Sequence, residues 1–527
     1  MIGTSDRFRQ VHVGALALAA IMLPWSEFLL SIAQFLLLGN WLVEGVVRKD
    51  FAGRFRRAFT SGPALLFMSF FALHLLGLLW TTDLSWGLDL CRILLPVIAF
   101  TPVLASTRPL DTGELRTVLL LGAWSVVAST LFCMAMRYEV IGRGGYRELS
   151  IFISHIRLAL LLCFSVVVFV VYRPRTAWAG VAHLLAIGWS LFFLDRLSSL
   201  LGAGIIALLA CYALWRAGQG TTAVLRWSLR SAVILVPLAI GGYVAWCVQA
   251  YFQEEPAQLA HLDERSAGGE AYYHDRVAPL RENGHYVWVN VADGELRRAW
   301  ERRSDRPYTG TDAQGQQLRH TLVRYLASLG VRKDSLGMQA LTDADVERVE
   351  RGIPSVIAGR RDPVRARIDQ VLYELEHYRM KGNASGHSVI MRYEFLRAGW
   401  AIARENLLFG VGTGDTRPAF AAYYSESNSV LEERWRLRAH NQYLTLLITF
   451  GLPGLLWCLF AWVRPAWAHR ASTGPLFIPW AIIFLVSCLS EDTLETQMGA
   501  TFFAFPYCLL VFAAPLTSAG DPAPVVG

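Results

Sequence analysis

SVIMRYEFLRAGWAIARENLLFGVGTGD, residues 388–415, and RAHNQYLTLLITFGLPG, residues 438–454, decide how this chain folds. The first has the spacing of an amphipathic helix, with Arg392 on one face with Leu396 and Gly399, and runs into a glycine bend, Gly410–Gly414. The second ends a polar segment at His440-Asn441, where an apolar run of membrane-spanning length begins. A cation-bearing helix and a histidine therefore both stand at the edge of a bilayer span.

Outward from there, the same kind of apolar run recurs. The chain has 527 residues, 54% hydrophobic and only 17% charged, with a mean hydropathy of +0.36, too apolar for an ordinary water-soluble enzyme. Runs near 11–24, 28–47, 63–80, 88–105, 115–136, 156–172, 177–194, 197–215, 230–250, 439–463, 475–490 and 499–515 predict about twelve transmembrane helices in an all-α polytopic membrane protein. Arginines and lysines cluster in alternate loops, at Arg7 and Arg9, Arg48 to Arg57, Arg108 and Arg116, Arg173 and Arg175, Arg216 to Arg230, and Arg464 and Arg470. Those loops are expected to be cytoplasmic, with both termini inside. The opposite loops are richer in acids, at Glu27, Asp83, Glu491, Asp492 and Glu495, except for 137–157, which carries Arg137, Arg143, Arg147 and Arg157.

This pattern divides the chain into nine spans over 1–250, one large outer loop domain over 251–438, three spans over 439–515, and a Pro/Gly/Ala tail over 516–527 that is expected to be disordered. The loop domain reads as mostly helical, with Tyr286–Val291 alternating like a short strand or hairpin edge. The net charge of +7 belongs to the cytoplasmic loops and does not point to nucleic acid. All eight cysteines lie in or beside apolar runs without CxxC spacing, which argues against a disulfide framework or a zinc site. The first apolar run is followed by Pro24-Trp25-Ser26-Glu27 rather than by a small-residue cleavage site.

Several residues have chemistry suited to a site. Arginine offers a permanent charge and a planar fork of donors that fits a phosphate or diphosphate, and Arg392 and Arg196 both stand among apolar neighbours. On spacing alone Arg392 reads more readily as a solvated helix face or headgroup contact, and Arg196 equally as a surface pair with Asp195. His440 is suited to accept and return a proton near neutrality, or is an interfacial histidine with a wet tip. Asn441 either orients that ring or caps the helix. Gly412 lies in a bend that wraps a phosphate or re-aims the chain, and the absence of GxxxxGK[ST] and GxGxxG patterns favours the turn. His155 and Arg157 stand at the outer start of the sixth span. Glu491, Asp492 and Glu495 form a small acidic group that reads as a solvated loop more readily than as a metal site. No Walker loop, HExxH helix or GxSxG elbow is present, and no metal or cofactor is expected.

LGLLWTTDLSWGLDLCRILLPV, ISHIRLALLL, DRLSSLLGAG and MRYEFLRAGWAIARENLLFGVGTGD followed by RAHNQYL occur in an order that resembles the O-antigen ligase and polymerase superfamily of bacterial envelope enzymes. The loop domain near 255–385 is larger than is usual there. The resemblance implies an inner-membrane glycosyl transferase that takes a glycan from undecaprenyl diphosphate at the periplasmic face. A ligase passes it to the lipid A core, and a polymerase to another lipid-linked repeat. Position by position it implies that Arg196 and Arg392 hold the diphosphate and that His440 is the essential base; it does not extend to the glycine bend. Asn441, Arg157 and Gly412 are further candidates for substrate contact on their own chemistry. A protein-directed oligosaccharyltransferase and a transporter of lipid-linked sugar are the competing expectations. Few mid-span charges and no inverted repeat speak against the transporter.

Overall fold

The computed structural model describes residues 4–139, 146–174, 176–197, 199–220, 222–252, 262–276, 280–356, 363–382, 384–385 and 388–515. Arg143, Arg175 and the tail 516–527 lie outside the described residues. A helix occupies each of the twelve expected spans, and among the described residues eight helical segments are long and apolar enough to cross a membrane. Three more, His155–Val171, Phe477–Ser487 and Gln497–Ala513, are apolar but shorter. The chain is an all-α, multi-pass membrane protein.

The helices begin with α1 (Thr4–Met22), α2 (Glu27–Val47), α3 (Phe51–Thr60), α4 (Gly62–Gly77), α5 (Leu84–Ile93) and α6 (Leu95–Ser106). Helix α3 falls where the sequence reading places only cytoplasmic cations. It puts Phe51, Phe55 and Phe59 on one side in a run of ring contacts, while Arg54 turns inward to Glu44 at 2.8 Å. Such a helix suits a membrane surface. The fourth span is two helices, because Pro96 in the first turn of α6 cannot donate to the preceding turn. Next come α7 (Thr112–Met136), α8 (His155–Val171), α9 (Ala177–Arg196), α10 (Leu200–Ala217) and α11 (Ala223–Phe252). Helix α7 opens on a capping box, in which Asp111 accepts from the Glu114 amide and Glu114 from that of Asp111.

The long segment between the ninth and tenth spans contains β1 (Arg281–Glu282), β2 (His285–Tyr286), α12 (Asp293–Trp300), α13 (Leu318–Ser328), α14 (Ser335–Gln339), α15 (Asp343–Glu350) and α16 (Pro363–Lys381). Then follow α17 (Ser388–Glu405), α18 (Thr416–Glu426), α19 (Gln442–Ala468), α20 (Phe477–Ser487) and α21 (Gln497–Cys508). The strand expected over Tyr286–Val291 is shorter than its alternation suggests. The two strands pair antiparallel through Asn283-Gly284, both at positive φ (53° and 80°), as a two-residue hairpin turn requires. Val291 makes only isolated bridges, to Tyr273 and Lys333.

The chain forms two compact units. The first comprises Met1–Arg216, Phe395–Asn428 and Arg436–Gly527. Its core runs from Leu16 and Phe67 through Phe100, Phe193 and Phe484 to Phe503. The second comprises Ala217–Glu394 and Ser429–Trp435 and is built on Trp300, Tyr308, Leu322 and Tyr325. The ninth span, α11, belongs to this second unit. Its Tyr251 hydroxyl donates to Glu376 of α16 at 3.0 Å, and Arg365 lies over the ring of Trp246 at 5.2 Å. Nearby, the largely buried Arg324 lies between Glu282 at 2.8 Å and the face of Tyr373 at 3.8 Å. A buried charge persists only when paired this closely.

Candidate functional site

The site is built around the first turn of α19. Asn441 is its N-cap, and its side-chain oxygen accepts from the Leu444 amide at 2.9 Å. The other end of the same side chain donates to Leu489 O at 3.0 Å, so both amide groups of Asn441 serve the helix and its neighbouring loop. That loop, 485–496, clamps the whole turn. The Gln442 amide donates to Cys488 O, the Gln442 side chain accepts from the Leu494 amide at 2.8 Å, and the Thr445 hydroxyl donates to Asp492 at 2.7 Å. Arg157, at the start of α8, is buried against the same loop. It reaches Glu491, Thr496 and the Asp492 carbonyl, each at 3.3 Å. The structure thus brings Arg157, Asn441 and the acidic group together, with each carboxylate engaged by a protein partner.

His440 stands one residue ahead of that cap. It is half-buried, its backbone is left-handed at φ 48°, and its ring lies 5.9 Å from that of Phe395. Non-glycine residues in this conformation are uncommon, and histidine is among those that adopt it more readily. The turn sets the imidazole at the amino end of a long helix, where the backbone dipoles favour negative charge. Arg392 lies in α17 one turn before Phe395 and is exposed. Arg392 is grouped with the second unit, and His440 and Arg196 with the first. Arg196 ends α9, exposed, with its guanidinium on Asp195 and 5.5 Å from the ring of Phe192.

The glycine bend is a structural joint. Helix α19 breaks at Gly451 (φ 69°, ψ −175°), which frees carbonyls in its amino-terminal half. The Val411 amide donates to Ile448 O, the Gly412 amide to Thr449 O, and the Leu452 amide to Leu407 O. Thr413 then ties the bend to α4, through its amide to Gly77 O and its hydroxyl to His74 O at 2.7 Å. The Gly410 and Gly414 amides go to Asn406 O and the Thr81 hydroxyl. All five amides of Gly410–Gly414 therefore have protein acceptors, as irregular backbone inside a membrane requires. Gly412 is packed rather than open, since a Cβ there would fall 2.5 Å from the Thr81 hydroxyl.

The structure adds three residues that the sequence reading passed over. Trp86, in the first turn of α5, is approached by Arg417 of α18 at 3.3 Å and by Arg438 at 5.9 Å from its ring centre. Arg438 also pairs with the nearly enclosed Glu495. Burial, and then the charge of Asp492, push the Glu495 carboxyl up to about 7 despite Arg438. Burial works against the charge of Arg438 as well, but Glu495 and Asp492 hold its pKa above the ordinary value.

A carboxyl raised in this way favours the folded state when protonated. Its contribution is fully present below the ordinary value of 4.5 and is lost as pH rises through about 7. Thermal unfolding of the full chain is therefore expected to lose stability from pH 5 to pH 7.5, and Glu495→Gln to flatten that slope. An identical slope in the variant would assign it to another group.

Residues 352–459 match the family model described as O-Antigen ligase. No curated protein matches the chain. The matched segment contains Arg392, the glycine bend, Arg417, Arg438, His440 and the broken amino-terminal half of α19, so over this stretch the chain is similar to the O-antigen ligase family.

Proposed function

We propose that the protein is a ligase-type glycosyl transferase, moving a glycan from undecaprenyl diphosphate to a hydroxyl of a lipid A-core acceptor. The observation that carries this reading is the O-antigen ligase match over 352–459, which spans both Arg392 and His440. The left-handed turn that sets His440 at the amino end of α19 adds to it. The alternation of basic loops supports a reading with this end of α19 at the periplasmic face of the inner membrane, both termini cytoplasmic and residues 251–438 outside.

The reaction is a single displacement. The acceptor oxygen attacks the anomeric carbon of the donor sugar, and the bond from that carbon to the phosphate oxygen breaks. The bonding pair leaves on the diphosphate, and the hydroxyl proton passes to the His440 ring. Attack from the face opposite the leaving group inverts the anomeric centre. Arg392 and Arg196 neutralise charge that grows on the diphosphate as the bond lengthens. A diphosphate leaves readily, so proton removal from the weakly nucleophilic hydroxyl is where a side chain helps most.

The reading is tested with purified protein in proteoliposomes supplied with lipid-linked glycan and lipid A-core. A core band shifted by the whole glycan is expected. Elongation of the lipid-linked repeat would make the protein a polymerase, and movement of lipid without any new glycosidic bond would sink the transferase reading. Arg392→Lys is expected to lower kcat/KM roughly 10- to 100-fold, because a point charge cannot replace a forked pair of charge-assisted hydrogen bonds. Full activity in that variant would remove Arg392 from the diphosphate.

A further inference from the structure

We infer that Arg417, Arg438 and Trp86 form a second oxyanion subsite beside the first turn of α19, one that takes a phosphate or carboxylate borne by a sugar. The inference starts from the state of Arg417. Its guanidinium carbon lies 3.3 Å from the centre of the Trp86 ring, yet among the described residues it donates no hydrogen bond and forms no ion pair. Burial and the neighbouring Arg438 lower its pKa, and Glu495, Asp83 and Asp89 offset this only in part.

Each nearby carboxylate already has a partner. Glu495 is held by Arg438, Asp89 pairs with Arg92 at 3.2 Å, and Asp83 caps the Trp86 amide at 3.0 Å. Asp415, two residues before Arg417, accepts from the Thr82 and Asp83 amides at 2.8 Å. Two like charges thus share one indole, and one of them lacks a counter-ion. A second observation points the same way, because the Trp86 indole nitrogen is buried without a hydrogen-bond partner. An unmet buried donor beside an uncommitted guanidinium is the arrangement an oxyanion would complete.

The place of the cluster says what it serves. Arg438 lies two residues before His440, and its partner Glu495 belongs to the loop that clamps Asn441, Gln442 and Thr445. An anionic sugar held here would lie beside the proposed base, and in that respect the inference rests on the proposed transferase function. The anion has two possible sources, the donor diphosphate or an acidic group on the acceptor.

The test uses the full chain labelled with 5-fluorotryptophan, in which the resonance lost in Trp86→Phe is that of Trp86. Titration with inorganic pyrophosphate is expected to move this resonance saturably, and Arg417→Ala to weaken the effect at least tenfold. A resonance that does not respond, or one that responds equally in Arg417→Ala, would overturn the subsite. In the transfer assay, a rise in KM for the donor alone assigns the subsite to the diphosphate, and a rise for the acceptor alone to an acidic acceptor group. No rise for either would overturn its part in transfer. If the wild type transfers nothing while the resonance still responds, the functional reading fails and the subsite stands.

Discussion

His440→Ala is expected to lower kcat for glycan transfer by roughly 10²- to 10⁴-fold, the range a positioned general base contributes. The loss should appear equally in kcat and kcat/KM, because the proton moves only as the acceptor attacks, and binding of either substrate does not require it. The fold should survive. The ring is half-buried and its aromatic neighbour is Phe395 at 5.9 Å, while the cap that starts α19 is Asn441, which the substitution leaves in place. His440→Asn is the sharper comparison. Asparagine tolerates the left-handed backbone at φ 48° better than alanine, so it keeps the turn and removes only the imidazole. Both variants should unfold close to the wild-type temperature while transfer falls. A His440→Asn protein that transfers at the wild-type rate would remove the base from the mechanism.

Much of the fold was legible in the sequence because lipid imposes a simple rule. A segment that crosses a bilayer must be apolar along its length and must satisfy its own backbone, so run length alone located the spans. The irregular parts were less legible. The break at Gly451 sits inside an unbroken apolar run, and what makes it tolerable is a loop some forty residues earlier, whose amides meet the freed carbonyls. The hairpin at Asn283-Gly284 did carry a local signal, the Asn-Gly pair, which the alternation of Tyr286–Val291 overshadowed. Asn441 was open between two roles, and geometry makes it a cap, because only coordinates show that both its amide groups are taken. The Trp86, Arg417 and Arg438 cluster had no sequence signature at all. Its members come from α5, α18 and the segment ahead of α19, and a stacked guanidinium leaves no spacing rule to find.

Gly410→Ala should be among the most damaging single-atom additions in the chain. At φ 69°, a Cβ on residue 410 would fall 2.2 Å from Thr449 O, 2.3 Å from its carbonyl carbon and 2.4 Å from the Phe450 amide. These are backbone atoms of α19, so no side-chain rotation relieves the overlap. The left-handed backbone alone costs an alanine about 1–2 kcal/mol, and overpacking adds about 1–3 kcal/mol more. Moving the bend outward also strands the Ile448 and Thr449 carbonyls, which now accept from Val411 and Gly412, in surroundings without water to replace those bonds. The expected total is about 2–5 kcal/mol, read as a lower unfolding temperature and a poor yield of folded protein. Gly269→Ala separates the two terms. It has a similar left-handed backbone, φ 85°, with nothing within 4 Å of its missing Cβ, so it should show the conformational cost alone. Equal losses at the two positions would mean that the bend yields freely and that its close contacts with α19 do not constrain it.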